Sequence, residues 1–296
     1  MIFNGIKSAI NFISTGKDKF PYGKKMSRKI LDEVKRRSAI PMLKIKSQKK
    51  DDDGLRITDS KFGGYPYWEK GRKYPAGKED GSKLILLAQL NFEQMIAPKD
   101  FPDKGILQFF VKPDDLYGCD FGSLSQKNWR IVYHEDIKES LGIEELKSMG
   151  VKTASDAIGE DEYLPLNASF ELAFDEAEDF MGPCCEGRFE NLVREIASDF
   201  NLPVPDESMN AYDIFNEDVL DEFWDKCDTG HKIGGYPYFS QYDPRNKDDG
   251  YDILLLQVDT DEGIMWGDSG VGNFFIKPDD LKKRDFSNVL YNWDCC

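Results

Sequence analysis

The chain contains one block of sequence twice, and any fold it adopts has to accommodate both copies. KFGGYPYW at Lys61–Trp68 returns as KIGGYPYF at Lys232–Phe239, with six of eight positions identical and an offset of 171. ILLAQL at Ile85–Leu90 returns as ILLLQV at Ile253–Val258, offset 168. GILQFFVKPDDL at Gly105–Leu116 returns as GVGNFFIKPDDL at Gly270–Leu281, offset 165, with eight of twelve identical. RIVYHED at Arg130–Asp136 aligns loosely with NVLYNWD at Asn288–Asp294, which sets His134 against Asn292. The blocks keep their order and only the spacers shorten, so the sequence reads as an internal duplication.

Each copy reads as β-structure. The short apolar runs LILLAQL and DILLLQV suit buried strands, and the paired phenylalanines of GILQFFV and GVGNFFI favour strands. Four strands are expected in the first copy, near 62–68, 84–91, 105–111 and 129–134, with equivalents in the second. KPDDL should end a ladder, because Pro has no N–H to donate and Asp-Asp favours a turn. A unit of such length has a marginal core alone, so the copies are expected to bury their apolar faces against each other. Helical spacing appears between the copies in GIEELKSMG, at 187–200 and at 216–226, and before them at Ser27–Ala39. Residues 47–54 (SQKKDDDG) read as a solvated loop.

The expected fold is α+β: internally duplicated, mainly antiparallel β-units packed as one body, with a helical insertion between the copies and an N-terminal helix. The expected boundaries are a basic extension over 1–54 and a main domain over 55–296. Within that domain, copy one covers 61–136, the acidic insertion 137–230 and copy two 231–296.

Charge is unevenly placed. The 296 residues carry a net −16, yet residues 1–50 hold 14 Lys/Arg against 3 Asp/Glu, and residues 151–230 hold 22 acids against 4 bases. An acidic body repels nucleic-acid phosphates and attracts basic proteins. The basic segment is expected to lie against its own acidic body, and membrane contact is expected only through residues 1–50, where Ile2, Phe3, Ile6, Ile10 and Ile13 form an apolar stripe. No apolar run approaches the roughly 20 residues of a membrane-spanning helix, and the N-terminus lacks the unbroken apolar region of a secretory signal. These features point to the cytoplasm. The six cysteines form no CxxC and only two histidines exist, so no metal site or cofactor is expected.

The blocks GGYPYW, LILLAQLNF, GILQFF, LLLQ and WGDSGVGNFFI…DL…DFSNVLYNWDC together resemble the YwqG-like family, a largely bacterial family of unknown function. The resemblance runs from about residue 55 to the end. It implies an α+β fold with duplicated β-units and brings no reaction or cofactor. It also implies a protein-binding or neutralising role, since members of the family look as if they often accompany secreted-toxin and immunity genes.

Gly267-Asp268-Ser269-Gly270 matches the tetrapeptide around a protease nucleophile, but a triad is recognised by geometry and roles. In the repeat Ser269 aligns with Lys104, while the Asp and Gly recur, so turn chemistry with Gly270 at positive φ is the expected reading and no catalytic residue is assigned. Gln89 and Gln257 interrupt apolar runs and must find hydrogen-bond partners if buried, either across the copies or at strand ends, or else they line a shared pocket. Tyr65, Tyr67, Tyr236 and Tyr238 are spaced two apart on expected strands, with Trp68 pointing the other way. With Trp266 and Asp268 these residues are the candidates for ligand or partner contact. The leading expectation is a cytosolic protein that binds a basic protein partner such as a toxin. A small-molecule binder or hydrolase with its site between the copies, and a membrane-surface adaptor, are the alternatives.

Overall fold

The computed structural model describes residues 20–296 apart from 122, 158–161, 186, 228 and 247. The apolar stripe at Ile2–Ile13 lies outside the described residues. The chain divides into two compact units, one from Met1–Ile40 with Asp179–Asp228, the other from Pro41–Glu178 with Thr229–Cys296.

The first unit is helical. Helix α1 (Lys24–Ser38) buries Ile30, Leu31 and Val34, which share one face at helical spacing. Against it pack α3 (Arg188–Asp199), through Phe189, Val193 and Ile196, and α5 (Glu217–Trp224), through Val219, Leu220 and Phe223. Burying each such side chain is worth about 1.5–3 kcal/mol. The short α4 (Ala211–Ile214) adds Ile214 to the same cluster. Opposite charges meet at the surface, with Lys24 on Asp218, Arg28 on Glu222 at 3.1 Å and Arg37 on Asp199 at 2.6 Å. The basic N-terminal helix therefore uses part of its charge on the acidic insertion, although exposed pairs of this kind each contribute only about 0–1 kcal/mol.

The second unit is built on a 10-stranded antiparallel sheet in the order β10-β9-β8-β7-β1-β6-β2-β3-β4-β5. Four strands come from the first repeat region: β2 (Lys61–Phe62), β3 (Ile85–Asn91), β4 (Ile106–Val111) and β5 (Trp129–His134). Four come from the second: β7 (Lys232–Gly234), β8 (Ile253–Asp259), β9 (Val271–Ile276) and β10 (Val289–Asp294). Between these two half-sheets run β1 (Ile40–Lys50) and β6 (Ser169–Asp179). The β3–β4 ladder shifts register between Leu86 and Ala88, and the β8–β9 ladder shifts between Leu254 and Leu256. The interrupted residues, Leu87 and Leu255, occupy matching repeat positions and both enter the core. A short helix, α2 (Ile143–Ser148), follows β5, and α6 (Pro278–Lys282) follows β9.

Three expectations are corrected by these elements. The GGYPYW segment is not a strand. Only Lys61 and Phe62 pair, and the chain leaves the ladder at Gly63 and Gly64, which take φ of 67° and 70°. Residues 47–50 belong to β1, and 52–54 form a 3₁₀ turn, so the expected loop is mostly ordered. KPDDL is a turn in the first half but begins α6 in the second, where Pro278 occupies the first turn.

Strands β1 and β6 look polar because their charges are complementary. Lys46 lies 2.5 Å from Asp175 and Lys50 lies 3.3 Å from Glu171. Both pairs have the same residue-number sum, as an antiparallel ladder requires. Opposite charges on neighbouring strands support pairing by about 0.2–1 kcal/mol each, and the charge run that suggested a loop is one strand of a matched pair.

The two half-sheets bury aromatic side chains against each other. Phe109 meets Phe274 at 4.9 Å and Trp129 meets Tyr291 at 5.5 Å across the halves, and within the second half Phe274 stacks on Tyr291 at 4.4 Å. Leucines and valines from β3, β8 and β9 complete one continuous cluster.

The GDSG turn is also resolved. Ser269, not Gly270, takes the positive φ, at 62°. Gly270 is required by close approach, since a Cβ there would lie 1.9 Å from the Asp294 carbonyl oxygen. At the matching position, Gly105 combines a φ of 80° with a Cβ position 2.3 Å from the His134 carbonyl oxygen. Gly270→Val should therefore abolish the folded state, while Ser269→Gly should be stabilising by about 1 kcal/mol through relief of the left-handed conformation. Urea unfolding of the two variants checks both expectations.

Candidate functional site

The conspicuous polar residues of the repeat hold a peptide that the sheet does not. Gln89 and Gln108 are cross-strand neighbours on β3 and β4, and both are fully buried. The Tyr67 N–H donates to Gln89 Oε1 at 2.9 Å, and Gln108 Nε2 donates to the Tyr67 carbonyl at 2.7 Å. Gln89 Nε2 donates to the Ile57 and Asp59 carbonyls at 2.9 and 2.8 Å, and Gln108 Nε2 also reaches Gln89 Oε1 at 2.8 Å. The second half repeats this. Gln257 and Asn273 are cross-strand neighbours. The Tyr238 N–H donates to Gln257 Oε1 at 2.7 Å, Asn273 Nδ2 donates to the Tyr238 carbonyl at 2.9 Å, and Gln257 Nε2 donates to the Gly230 carbonyl at 2.7 Å. The amides thus bond within their own half-sheets rather than across them.

These contacts fix amide orientation, because a backbone N–H only donates and a carbonyl only accepts. Gln108 Oε1 therefore faces His134 Nε2, at 3.0 Å, as an acceptor. The imidazole must carry its proton on Nε2, which leaves Nδ1 to accept from Arg72 Nη1 at 2.9 Å. Glu69 Oε1 also lies 3.1 Å from Nδ1 and can bond it only when the ring is protonated. Burial holds the His134 pKa down, to about 4, and the Arg72 charge also lowers it while Glu69 opposes. A neutral imidazole at neutral pH agrees with the hydrogen-bond pattern.

Ladder register corrects the counterpart of His134. Ile106 pairs with His134, and the matching Val271 pairs with Asp294. Asp294, not Asn292, stands in the place of His134. It accepts from the Ser240 and Gln241 N–H groups at 3.2 and 2.9 Å, and burial raises its pKa.

The other residues singled out in the sequence are placed as follows. Trp68 is buried, with Nε1 donating to the Arg72 carbonyl at 2.9 Å. Tyr65 is buried and its hydroxyl reaches Asp156 at 3.4 Å, whereas Tyr236 and Tyr238 are half-buried. Trp266 is buried over Gly272, where a Cβ would lie 2.3 Å from the indole. Asp268 and Ser269 are exposed on their turn. His231 Nδ1 accepts from the Asp259 N–H at 2.9 Å, so both histidines are engaged elsewhere than at Ser269. Gln89, Gln257 and Asp268 do not line the cavities beside Phe174, Trp68, Trp293 or Met265.

Lys61 was not apparent as unusual from sequence. It is buried, pairs with Gln89 in the ladder, and donates from Nζ to the Arg56 and Ile57 carbonyls at 3.0 and 3.3 Å. Desolvation pushes its pKa down to about 7, with Asp59 and Asp52 opposing.

Two surface features of this unit sequence reasoning also missed, because each is assembled from stretches of chain that are far apart in sequence. One is a groove of about 680 Å³ lined by Leu43, Glu93, Gln94, Met95, Ile96, Phe174, Asp175 and Glu176. Leu43 comes from β1, Phe174–Glu176 from β6, and Glu93–Ile96 from the segment leaving β3. Ile96 is 73 % exposed, a high value for an aliphatic side chain. The other is a cavity of about 610 Å³ beside Trp68 and Arg130.

Gln89→Leu should destabilise the protein by about 2–3 kcal/mol, because it strands the Tyr67 N–H and two carbonyls away from water, and chemical unfolding measures the loss. His134 gives a pH signature. The unfolded ring binds protons near pH 6.5, and the folded ring only near pH 4. Its contribution to stability is therefore complete above about pH 6.5 and is lost as pH falls toward 4. His134→Gln should flatten the fall in stability over that window relative to the wild type, read from unfolding curves at pH 7, 5.5 and 4.5.

No curated protein matches the chain. Residues 60–295 match a family described as a domain of unknown function, DUF1963. The match begins one residue before β2 and covers both half-sheets together with β6. The chain belongs to this family.

Proposed function

We propose that the chain is a binding protein that takes a basic segment of a protein partner in the groove between Glu93–Ile96 and Phe174–Glu176. The observation that carries this reading is the pairing of apolar and acidic groups in one place. Leu43, Met95, Ile96 and Phe174 give an apolar lining, and Glu93, Asp175 and Glu176 give the charge. Asp175 is held by Lys46. Glu93 and Glu176 have no ion-pair partner among the described residues. An apolar floor with unpaired carboxylates fits a Lys or Arg side chain, whose methylene stem packs while its head stays charged. The excess of acids over bases in the whole chain steers a basic partner toward the surface.

Other parts of the reading rest on the same footing. The two half-sheets are taken as copies of one ancestral unit, supported by the recurrence of ladder order, register shift and amide pair at the repeat positions. The YwqG-like resemblance is compatible with the family, and a neutralising role toward a basic toxin follows from it. Among the described residues no helix is long and apolar enough to cross a membrane. The cytoplasm is the proposed compartment. A ligand site between the half-sheets is not favoured, because Phe109, Phe274 and their neighbours fill that space.

Immobilised wild-type protein should retain basic proteins at low salt and release them near 0.5 M salt, as screened charge pairs require. Glu93→Gln/Glu176→Gln and Ile96→Asp should each lose the same proteins while keeping the wild-type unfolding midpoint. Retention of basic proteins unchanged by either variant would place the interaction elsewhere and remove the groove from the account.

A further inference from the structure

The second cavity carries the opposite charge to the rest of the molecule. Its lining includes Arg72, Lys73, Lys78 and Arg130, with Trp68 and Tyr74, and no Asp or Glu. Four cations gathered without a carboxylate is unusual on a chain of net charge −16. Two nearby acids are already engaged. Asp80 is held by Lys112 at 2.8 Å and by the Ser82 N–H and hydroxyl, and Glu69 lies 3.1 Å from His134 Nδ1 and 3.8 Å from Arg72 Nη1, so Arg72 is partly neutralised. Lys73 and Lys78 have no ion-pair partner among the described residues.

Unsatisfied polar atoms lie behind the inner wall of this cavity. Tyr74 is 6 % exposed, lines the cavity, and its hydroxyl has no hydrogen-bond partner. Arg130 donates from Nη2 to the Gln126 carbonyl at 3.0 Å, but its buried Nε has no partner. Buried donors of this kind are normally satisfied, and a guanidinium supplies several N–H groups in a fixed fork that suits an oxyanion. Arg72 is fixed on one side by His134 Nδ1 and lies over the Trp68 ring, its guanidinium carbon 5.4 Å from the centroid. The amide chain that sets the His134 tautomer therefore also aims one wall of this cavity.

We propose that the cavity binds a small oxyanion carrying several negative charges. Arg72 and Arg130 hold the anion through their guanidinium groups, and Lys73 and Lys78 neutralise charge from the exposed side. The volume of about 610 Å³ is that of a small-molecule site. The shared chemistry covers phosphate and carboxylate groups, represented by pyrophosphate and citrate.

Isothermal titration of the full chain with each anion at low salt tests this. Saturable binding with a Kd of about 0.1–1 mM is expected for at least one of them, and the tighter of the two identifies the group. Lys73→Gln/Lys78→Gln, both exposed and therefore safe for folding, should weaken binding about tenfold, and Arg130→Gln at least as much. Lys99→Gln, an exposed lysine away from the cavity, should leave it unchanged. No saturable binding of either anion up to about 10 mM, or binding that the lysine double variant leaves intact, overturns the proposal. Loss of anion binding leaves the groove reading untouched, since the two sites share no residue.

Discussion

A buried peptide that belongs to no strand organises each half of the sheet. After Gly63-Gly64 and Gly234-Gly235 the chain turns out of the ladder, yet it stays buried over Tyr65–Trp68 and buried or half-buried over Tyr236–Phe239. Its polar groups have to be satisfied without water. Two side-chain amides on adjacent strands do this for Tyr67, and two more do it for Tyr238. An amide is suited to the task because it offers a donor and an acceptor without a charge to desolvate. The cascade then diverges. In one half it ends on His134, Arg72 and Glu69; in the other it stops at Asn273, whose Oδ1 has no partner among the described residues, while Asp294 accepts separately from the backbone of Ser240 and Gln241. One skeleton thus carries a titratable histidine on one side and a buried carboxylate on the other.

The repeat made the strands legible. β3, β4 and β5 begin and end within a residue or so of where apolar runs and turn residues place them, because buried strands need little more than such a run between punctuators. The helices of the first unit were equally legible, as Ile30, Leu31 and Val34 recur at helical spacing. β1 and β6 were not. Their stabilising partners, Lys46 with Asp175 and Lys50 with Glu171, are more than a hundred residues apart, so each strand alone reads as a polar run. GGYPYW misled in the other direction, since aromatic alternation suggests a strand while the paired glycines and Pro66 take the chain elsewhere.

Several of the residues that stood out as candidate contacts are buried, whereas Tyr236 and Tyr238 are half-buried and Asp268 is exposed. Gln89, Gln257, Tyr67, Trp68 and Trp266 are conspicuous because burial restricts what can occupy their positions. The groove at Glu93–Ile96 and the cationic cavity at Arg72–Lys78 leave no periodic trace, because the groove is assembled from a loop with β1 and β6, and the cavity from a loop with Trp68 and with Arg130 and Val132 of β5. A single weak signal was available for the cavity, in the run Lys70-Gly71-Arg72-Lys73, which is basic within an acidic chain. The proposed groove is thus built on segments outside the matching blocks, while the repeated segments hold the frame.

The most direct test of this division is native-state hydrogen exchange at the Tyr67 and Tyr238 amides. If Gln89 and Gln257 hold these peptides as part of the core, both N–H groups will exchange only through global unfolding, as slowly as those of β3 and β8, despite lying outside every strand. Exchange at the rate of the exposed turns would show that the GGYPY segments open independently, and the frame described here would not stand.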